Sequence, residues 1–254
     1  MIHPTAVIDS GAQLAPDVSV GAYSVIGPDV HIGAGTLIGP HVVLEGPLYL
    51  GCHNRIYQFA SVGAACQDKK YRGEPTTLVI GDHNVIRECV TLQRGTVQDR
   101  GETRIGSHGL FMAYSHVAHD CVLGDHIILA NGTQLAGHVR VDDHAILGGG
   151  TLVHQFCQVG SYAITGAGTV LLQDVPAFIV AQGNPAKPYG INVEALRRAE
   201  FPQKTIQQLK QAYRVVYRKG LKLQEALSLL AAEDDPHVLA FLKSVDASQR
   251  GIIR

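Results

Sequence analysis

The sequence predicts an all-β rod built from stacked six-residue faces, followed by a small α-helical domain. Two observations carry the rod. Aliphatic residues recur at a strict six-residue step, and the fourth residue after each of them is usually small or β-branched. A third observation ends it: beyond Gly190 the periodicity becomes helical.

The anchors run Ile2, Ile8, Leu14, Val20, Ile26, Ile32, Ile38, Leu44, Leu50, Ile56, Val62, then Ile80, Ile86 and Leu92. After a one-residue slip they resume at Ile105, Phe111, Val117, Leu123, Leu129, Leu135, Val141, Leu147, Val153, Val159, Thr165 and Leu171. Period six fits neither an amphipathic helix nor plain strand alternation. It fits a short strand and a tight turn, repeated. Three such faces close a coil of about eighteen residues, and stacked coils rise by one strand spacing, ~4.8 Å. A single coil cannot bury its own apolar side, so its neighbours make the core. The fourth-residue positions Ala6, Ala12, Val18, Ser24, Val30 and Thr36 should point inward with the anchors.

Two stretches break the register, 63–79 (GAACQDKKYRGEPTTLV) and 93–104 (QRGTVQDRGETR). Both should leave the rod as loops, where a rigid scaffold commonly presents function. Gly183, Pro185, Pro188 and Gly190 then end the rod. Ile206, Leu209, Tyr213, Val216 and Tyr217 form a helical stripe closed by Gly220. Leu223, Ala226, Leu227 and Leu230 form a second, and a short third helix is expected over Val238–Lys243. The domains are therefore 1–190, the rod, and 191–254, helical.

Composition narrows the function. The 21 Lys+Arg against 22 Asp+Glu leave a net charge of −1, with no global basic field for nucleic acid. Residues 191–254 carry 11 Lys+Arg and 7 Asp+Glu, a balance of +4; the first 190 carry 10 and 15, a balance of −5. Five scattered cysteines without a CxxC pair fit a reduced, cytoplasmic setting rather than a disulfide framework. No signal peptide and no transmembrane segment is expected.

The richest stretch is His116–Gln155. On the eighteen-residue count His119, Gly137 with His138, and His154 with Gln155 fall within a residue of one height on three successive coils, which predicts a column of imidazoles on one outer edge. His83, His126 and His144 read instead as polar turn residues in Gly-Asp-His or Asp-Asp-His segments. A zinc site of the carbonic anhydrase type on such a rod uses an HxxxxH that the column lacks, so no metal is expected. The sharper reading is general base catalysis, since an imidazole can take a hydroxyl proton at neutral pH. Asp120 follows His119 directly and could fix its tautomer. Adjacent strand residues face opposite ways, which leaves a route through the backbone or a neighbouring chain equally open. No Ser or Cys nucleophile is evident, so direct transfer in a ternary complex is more economical than a covalent intermediate. The N–H of Gly137 is suited to a developing oxyanion.

The repeat resembles the hexapeptide-repeat family over roughly residues 2–175, which implies a left-handed parallel β-helix. The segments IYQFASVG (56–63), KYRGEPT (70–76), VIRE with RGTVQ (85–98), AHDC (118–121), LAGHV (135–139), VHQFC (153–157) and QGNPA (182–186) sharpen this. Together they resemble the UDP-N-acetylglucosamine O-acyltransferases over nearly the whole chain. That resemblance implies transfer of a 3-hydroxyacyl group from acyl carrier protein to the sugar 3-hydroxyl, the first step of lipid A assembly. It implies a cytoplasmic homotrimer with sites between neighbouring rods. No cofactor is implied beyond the phosphopantetheine of the carrier protein.

Matched residue by residue, it implies His119 as base, Asp120 as its support and the backbone of Gly137 as carbonyl polariser. Asp68 and His116 match contacts to the sugar ring. Lys70, His138, His154 and Gln155 line the donor and nucleotide-sugar cleft, and Asn192, Glu194 and Arg198 reach the uridine and phosphates. Ala167 falls in the groove that measures acyl length. Where the family has consecutive cations ending in Arg-Gly-Phe, this chain reads Arg197-Arg198-Ala199-Glu200-Phe201. Eight basic residues against Glu200 alone between Arg197 and Lys222 would steer an acidic carrier protein.

Overall fold

In the computed structural model, which describes residues 1–254, every anchor from Ile8 to Leu171 lies in a short strand. Strands pair in parallel with the strand one coil on, eighteen residues away along the regular part of the rod, as in Val7↔Val25 and Ile128↔Ile146, and sixteen at its end, Ile164↔Val180. Nine, eight and ten strands line up into three sheets. The first face runs from Val7–Ile8 to Val170–Leu171, the second from Gln13–Leu14 to Gln158–Val159, and the third from Ser19–Val20 to Lys187–Ile191. The result is a left-handed parallel β-helix. Only the last pairing, Ile179–Gln182 with Lys187–Ile191, is antiparallel, where the Gly and Pro punctuation turns the chain back.

The interior matches the expectation for the anchors. Leu44, Leu92, Phe111, Leu129 and Leu147 are completely buried. Polar residues at the inward fourth position survive because they bond backbone across coils. Ser24 Oγ donates to the Gly39 carbonyl (2.7 Å) and accepts from the Val42 N–H (3.1 Å). Asn54 and Asn84 continue the device, Asn54 Nδ2 reaching the Gly81 carbonyl and Asn84 Nδ2 that of Gly106.

One regularity of the turns is invisible to the anchor count. The third residue after an anchor takes positive φ at turn after turn, whether it is glycine, as at Gly35, or not, as at His41, Asp120, His138 and Tyr162. Side chains at this position leave the corner and stack on the next coil. Between the second and third faces they form a ladder of rings, His53, His83, His108, His126, His144 and Tyr162, with centroids 4.6–5.0 Å apart. The Gly-Asp-His segments are thus turns, as expected, but the long imidazole column of the molecule stands here and not at the His119 corner. The aspartates beside it bond backbone of the adjoining coil: Asp125 Oδ1 accepts from the Ser107 N–H (2.7 Å), and Asp143 Oδ1 from the Asp125 N–H (2.8 Å).

Both register breaks are confirmed as loops, with tighter limits than the sequence suggested. Strands Ser61–Ala64 and Thr77–Ile80 take the ends of the first, leaving 65–76 outside. Strands Thr91–Gln93 and Glu102–Ile105 leave 94–101 outside in the second. The coil offsets become Leu50↔Ile80 and Ile80↔Ile105, yet the strands stay in line. Both loops depart between the first and second faces.

Four helices follow: α1 (Val193–Arg198), α2 (Gln203–Arg218), α3 (Leu223–Leu229) and α4 (Pro236–Asp246). The α2 stripe buries Ile206, Leu209, Tyr213 and Val216 as its spacing predicted. Helix α1 was not foreseen; six residues are too few to show a stripe. Helix α4 extends beyond Val238–Lys243 because Asp235 caps its N-terminus, accepting from the N–H of His237 (2.9 Å), with Pro236 at the first helical position. The tail then returns to the rod, where Ile253 N–H meets the Asp174 carbonyl (2.9 Å) and Ile252 and Ile253 are buried.

Phe111 is the one aromatic anchor and has no exposed surface. Phe111→Ala should lower the unfolding free energy by about 3–5 kcal/mol, read from the urea midpoint at unchanged slope.

Candidate active site

The corner between the first and second faces collects most of the predicted residues. His119 and Asp120 occupy the turn between strands His116–Val117 and Val122–Leu123. One coil on, Gly137 and His138 occupy the equivalent turn, and Gln155 and Phe156 the next. The two loops at 65–76 and 94–101 leave from this same corner.

The open question about Asp120 resolves through its backbone. Because Asp120 sits in a turn at φ 60°, not on a strand, its side chain swings back to the side of His119. Asp120 Oδ2 lies 2.8 Å from His119 Nδ1. The carboxylate is 1% exposed and also accepts the Thr96 N–H on Oδ1 (2.9 Å) and the Thr96 hydroxyl on Oδ2 (2.6 Å). Its own N–H donates to Thr103 Oγ1 (2.8 Å). Burial pushes the Asp120 carboxyl up, but the hydrogen bonds from His119 and Thr96 outweigh it and hold the group below the usual carboxylate range. A buried anion on Nδ1 fixes the proton there and leaves Nε2 as the basic nitrogen.

Gly137 faces the imidazole. A Cβ at this position would lie 2.5 Å from His119 Cε1 and 2.7 Å from Nε2, so any side chain here would displace the ring. The Gly137 N–H donates to no protein acceptor. His138 stands edge-on to His119 (centroids 5.1 Å, 90°) and is stacked on Phe156 (4.4 Å). Its Nδ1 lies 3.0 Å from Asp99 Oδ2 and its Nε2 3.8 Å from Asp120 Oδ2.

The remaining predicted residues divide by location. His116 is on the adjoining strand with Nδ1 2.7 Å from Thr91 Oγ1, and burial followed by the neighbouring His119 pushes its imidazole down. Asp68 and Lys70 lie in the first loop, where Asp68 Oδ1 accepts the Lys70 N–H (2.8 Å). Buried Arg94 pins this loop by donating to the Gly46 and Gly63 carbonyls (2.7 and 2.6 Å) and to the Tyr71 hydroxyl (3.2 Å). His154 is a correction to the predicted column. It sits one position short of the rung shared by His119 and Gly137, and its Nδ1 turns to the Gln155 carbonyl (3.1 Å). The column at this corner is therefore a pair of imidazoles, His119 and His138, not three.

Asn192, Glu194 and Arg198 stand elsewhere. They surround a hollow of about 370 Å³ on the third face, together with Tyr162 and with His126 and His144 from the ring ladder. Asn192 is buried, donates to the Tyr162 carbonyl (2.9 Å) and caps α1; Glu194 and Arg198 pair at 3.1 Å on the surface. Ala167 is exposed on the corner between the third and first faces. A single rod does not bring these three groups together.

Sequence reasoning missed Thr96, Asp99 and Phe156. The positive-φ rule, applied from the anchors, picks out Phe156 and explains Asp120 and His138; the loop residues carry no periodic signal. Cys121, two residues beyond His119, is fully buried and its thiol is pushed up to about 12, so it offers no thiolate.

The depressed carboxyl of Asp120 has a pH consequence. Its stabilisation is complete above the ordinary carboxylate value of ~4 and is lost as pH falls through the lower folded value. The stability margin of the parent over Asp120→Asn, measured by urea unfolding, should be widest near neutral pH and shrink steadily in acid.

Comparison with known proteins identifies the family. Residues 11–46 match the bacterial transferase hexapeptide family, and residues 174–253 match a family described as UDP-N-acetylglucosamine O-acyltransferase, domain 2. The acyl-[acyl-carrier-protein]--UDP-N-acetylglucosamine O-acyltransferase of Stutzerimonas stutzeri is 57% identical over 256 residues, covering 100% of this chain and 99% of its own. Among solved structures, LpxA of Acinetobacter baumannii superposes with a TM-score of 0.97 at 48% identity, covering 100% of this chain and 99% of its own. The UDP-N-acetylglucosamine O-acyltransferase of Moraxella catarrhalis does so at 0.97 and 46%, with the same coverage. With the hexapeptide rod and this identity over its full length, the chain belongs to the acyl-[acyl-carrier-protein]--UDP-N-acetylglucosamine O-acyltransferase family and is an acyltransferase.

Proposed function

We propose that the protein transfers a 3-hydroxyacyl chain from acyl carrier protein to the 3-hydroxyl of UDP-N-acetylglucosamine, the first step of lipid A biosynthesis, in the cytoplasm. The observation that carries the mechanism is half-buried His119 paired with buried Asp120 beside the unbonded N–H of Gly137. His119 Nε2 takes the proton of the sugar hydroxyl as its oxygen attacks the thioester carbonyl. The Gly137 N–H meets the oxygen on which charge develops. The C–S bond breaks, and the departing phosphopantetheine thiolate takes the proton back from the imidazolium. No covalent enzyme intermediate is needed, and the protein supplies no cofactor of its own.

Asp68 and His116 would hold the sugar, and Lys70, His138, His154 and Gln155 would line the cleft of donor and nucleotide sugar. Asn192, Glu194 and Arg198 would take the uridine and phosphates, and Ala167 would bound the acyl groove. Residues 1–190 would act as the catalytic domain, with 191–254 as the helical domain.

These groups stand on different corners of one rod, which favours a trimer whose sites lie between copies. The third face carries an outward row of Val85, Leu110, Ile128, Ile146, Ile164 and Val180 in register. The second face over the same coils shows Arg104, Val122, Arg140 and Gln158. The apolar row is the natural surface for self-association.

One observation favours a metal reading: ligand atoms of His119, Asp120 and His138 lie within 4.8 Å of one another. Against it, Asp120 already accepts three hydrogen bonds on its two oxygens.

Mass spectrometry of reactions with UDP-N-acetylglucosamine and a panel of 3-hydroxyacyl carrier proteins tests the proposal. A singly acylated sugar nucleotide should form, should persist after exhaustive chelation, and should fall by ~10²–10⁴-fold in His119→Ala. Gly137→Ala should fold yet lose most activity by displacing the ring. Activity removed by chelator and restored by zinc would favour the metal reading. Added salt should raise KM for the carrier protein, with its opposite charge to the helical domain, more than KM for the sugar nucleotide.

A further inference from the structure

The loop at 94–101 has contacts that the acyl-transfer reading does not use. It is inserted into the coil directly before the His119 turn, stretching the Ile80↔Ile105 offset while leaving strand register intact. The loop closes on itself, because the N–H groups of Asp99 and Gly101 both reach the Thr96 carbonyl (3.3 and 3.0 Å). That closure aims two side chains at the catalytic corner. Thr96, 1% exposed, gives Asp120 two of its three donors. Asp99 holds Nδ1 of His138 and so turns Nε2 toward Asp120. Each imidazole of the corner thus has a carboxylate on its Nδ1. In one pair that carboxylate is itself held by the loop, and in the other the loop supplies it.

We propose that Thr96 and Asp99 are positioning residues for the acyl-transfer reaction, the loop acting as a brace that fixes the orientation of both histidines. The inference rests on the His119 base reading. A rod turn of ordinary length at this place would leave Asp120 without its hydroxyl donor and His138 without its Nδ1 partner. A carboxylate buried without donors prefers to protonate or to turn away, and either releases the Nδ1 proton that fixes the base. The titratable groups facing Asp120 are His119, His138, Cys66 and Cys121, with Asp99, Arg100 and Arg140 around the small cavity beside it.

The test is steady-state kinetics across pH on the full-length protein, with Thr96→Val, Thr96→Ser, Asp99→Ala and Asp99→Asn beside the parent. Valine keeps the Thr96 backbone N–H and the side-chain shape but removes the hydroxyl. Thr96→Val should lower kcat by ~10-fold or more while KM for UDP-N-acetylglucosamine moves by less than about twofold. The acid limb of its kcat/KM profile should move to higher pH. Thr96→Ser, which restores the hydroxyl, should recover kcat to within about threefold and return the limb. Asp99→Ala should lower kcat several-fold with KM for the sugar nucleotide unchanged, and Asp99→Asn, which keeps an acceptor for Nδ1, should recover much of it. Thermal melting of all variants separates misfolding from misplacement. A Thr96→Val protein with the parent's kcat and pH profile overturns the role of Thr96, as does equal loss in serine and valine. An Asp99→Ala protein with the parent's kcat overturns that of Asp99. If the parent itself forms no acylated product, the functional reading falls instead, which no result among the variants can mimic.

Discussion

Everything in this molecule depends on the parallel pairing of each strand with the strand one coil away. That pairing fixes the height of every residue, because backbone N–H and C=O groups of successive coils must meet. It also decides which side chains touch. Residues at equivalent places on consecutive coils become neighbours whatever their distance along the chain. His119 meets Gly137, and Asp120 meets His138, for this reason and no other. The glycine is required because the adjacent coil delivers an imidazole where a side chain would stand.

The turns carry the second constraint. A position that adopts positive φ in coil after coil is costly for most residues, yet histidine, aspartate, tyrosine and phenylalanine occupy it here. Stacking on the ring one coil away accompanies the cost at the ladder of His53 to Tyr162. At the corner between the first and second faces the same geometry performs a different task. It swings Asp120 out of the interior-facing alternation and into hydrogen-bond reach of the preceding histidine.

The repeat made the rod legible from sequence, because anchors at a fixed step have a single packing solution. The same step located His119, Gly137 and His138, and the breaks in it located both loops. It could not order neighbouring positions within a turn. It therefore placed His154 in a column that the ring does not join, and it left open whether Asp120 reaches His119 directly. Thr96 and Asp99 were beyond its reach, since loop contacts follow from local turn closure and not from periodicity. The short helix α1 was unreadable because one and a half turns leave no stripe. Its Asn192, Glu194 and Arg198 could be singled out only through resemblance.

The two loops show how such a scaffold can grow. Twelve residues stand outside the rod at 65–76 and eight at 94–101, yet the strands before and after remain aligned, Leu50 with Ile80 and Ile80 with Ile105. Spacing along the chain is thereby uncoupled from spacing in the rod, and length along the axis becomes quantised in whole coils. Evolution can lengthen a corner loop, changing what a site grips, without moving any other site along the axis. It can also add or delete a complete coil, translating everything beyond by one fixed step. A protein of this architecture separates the vocabulary of its site from the ruler on which the site is mounted.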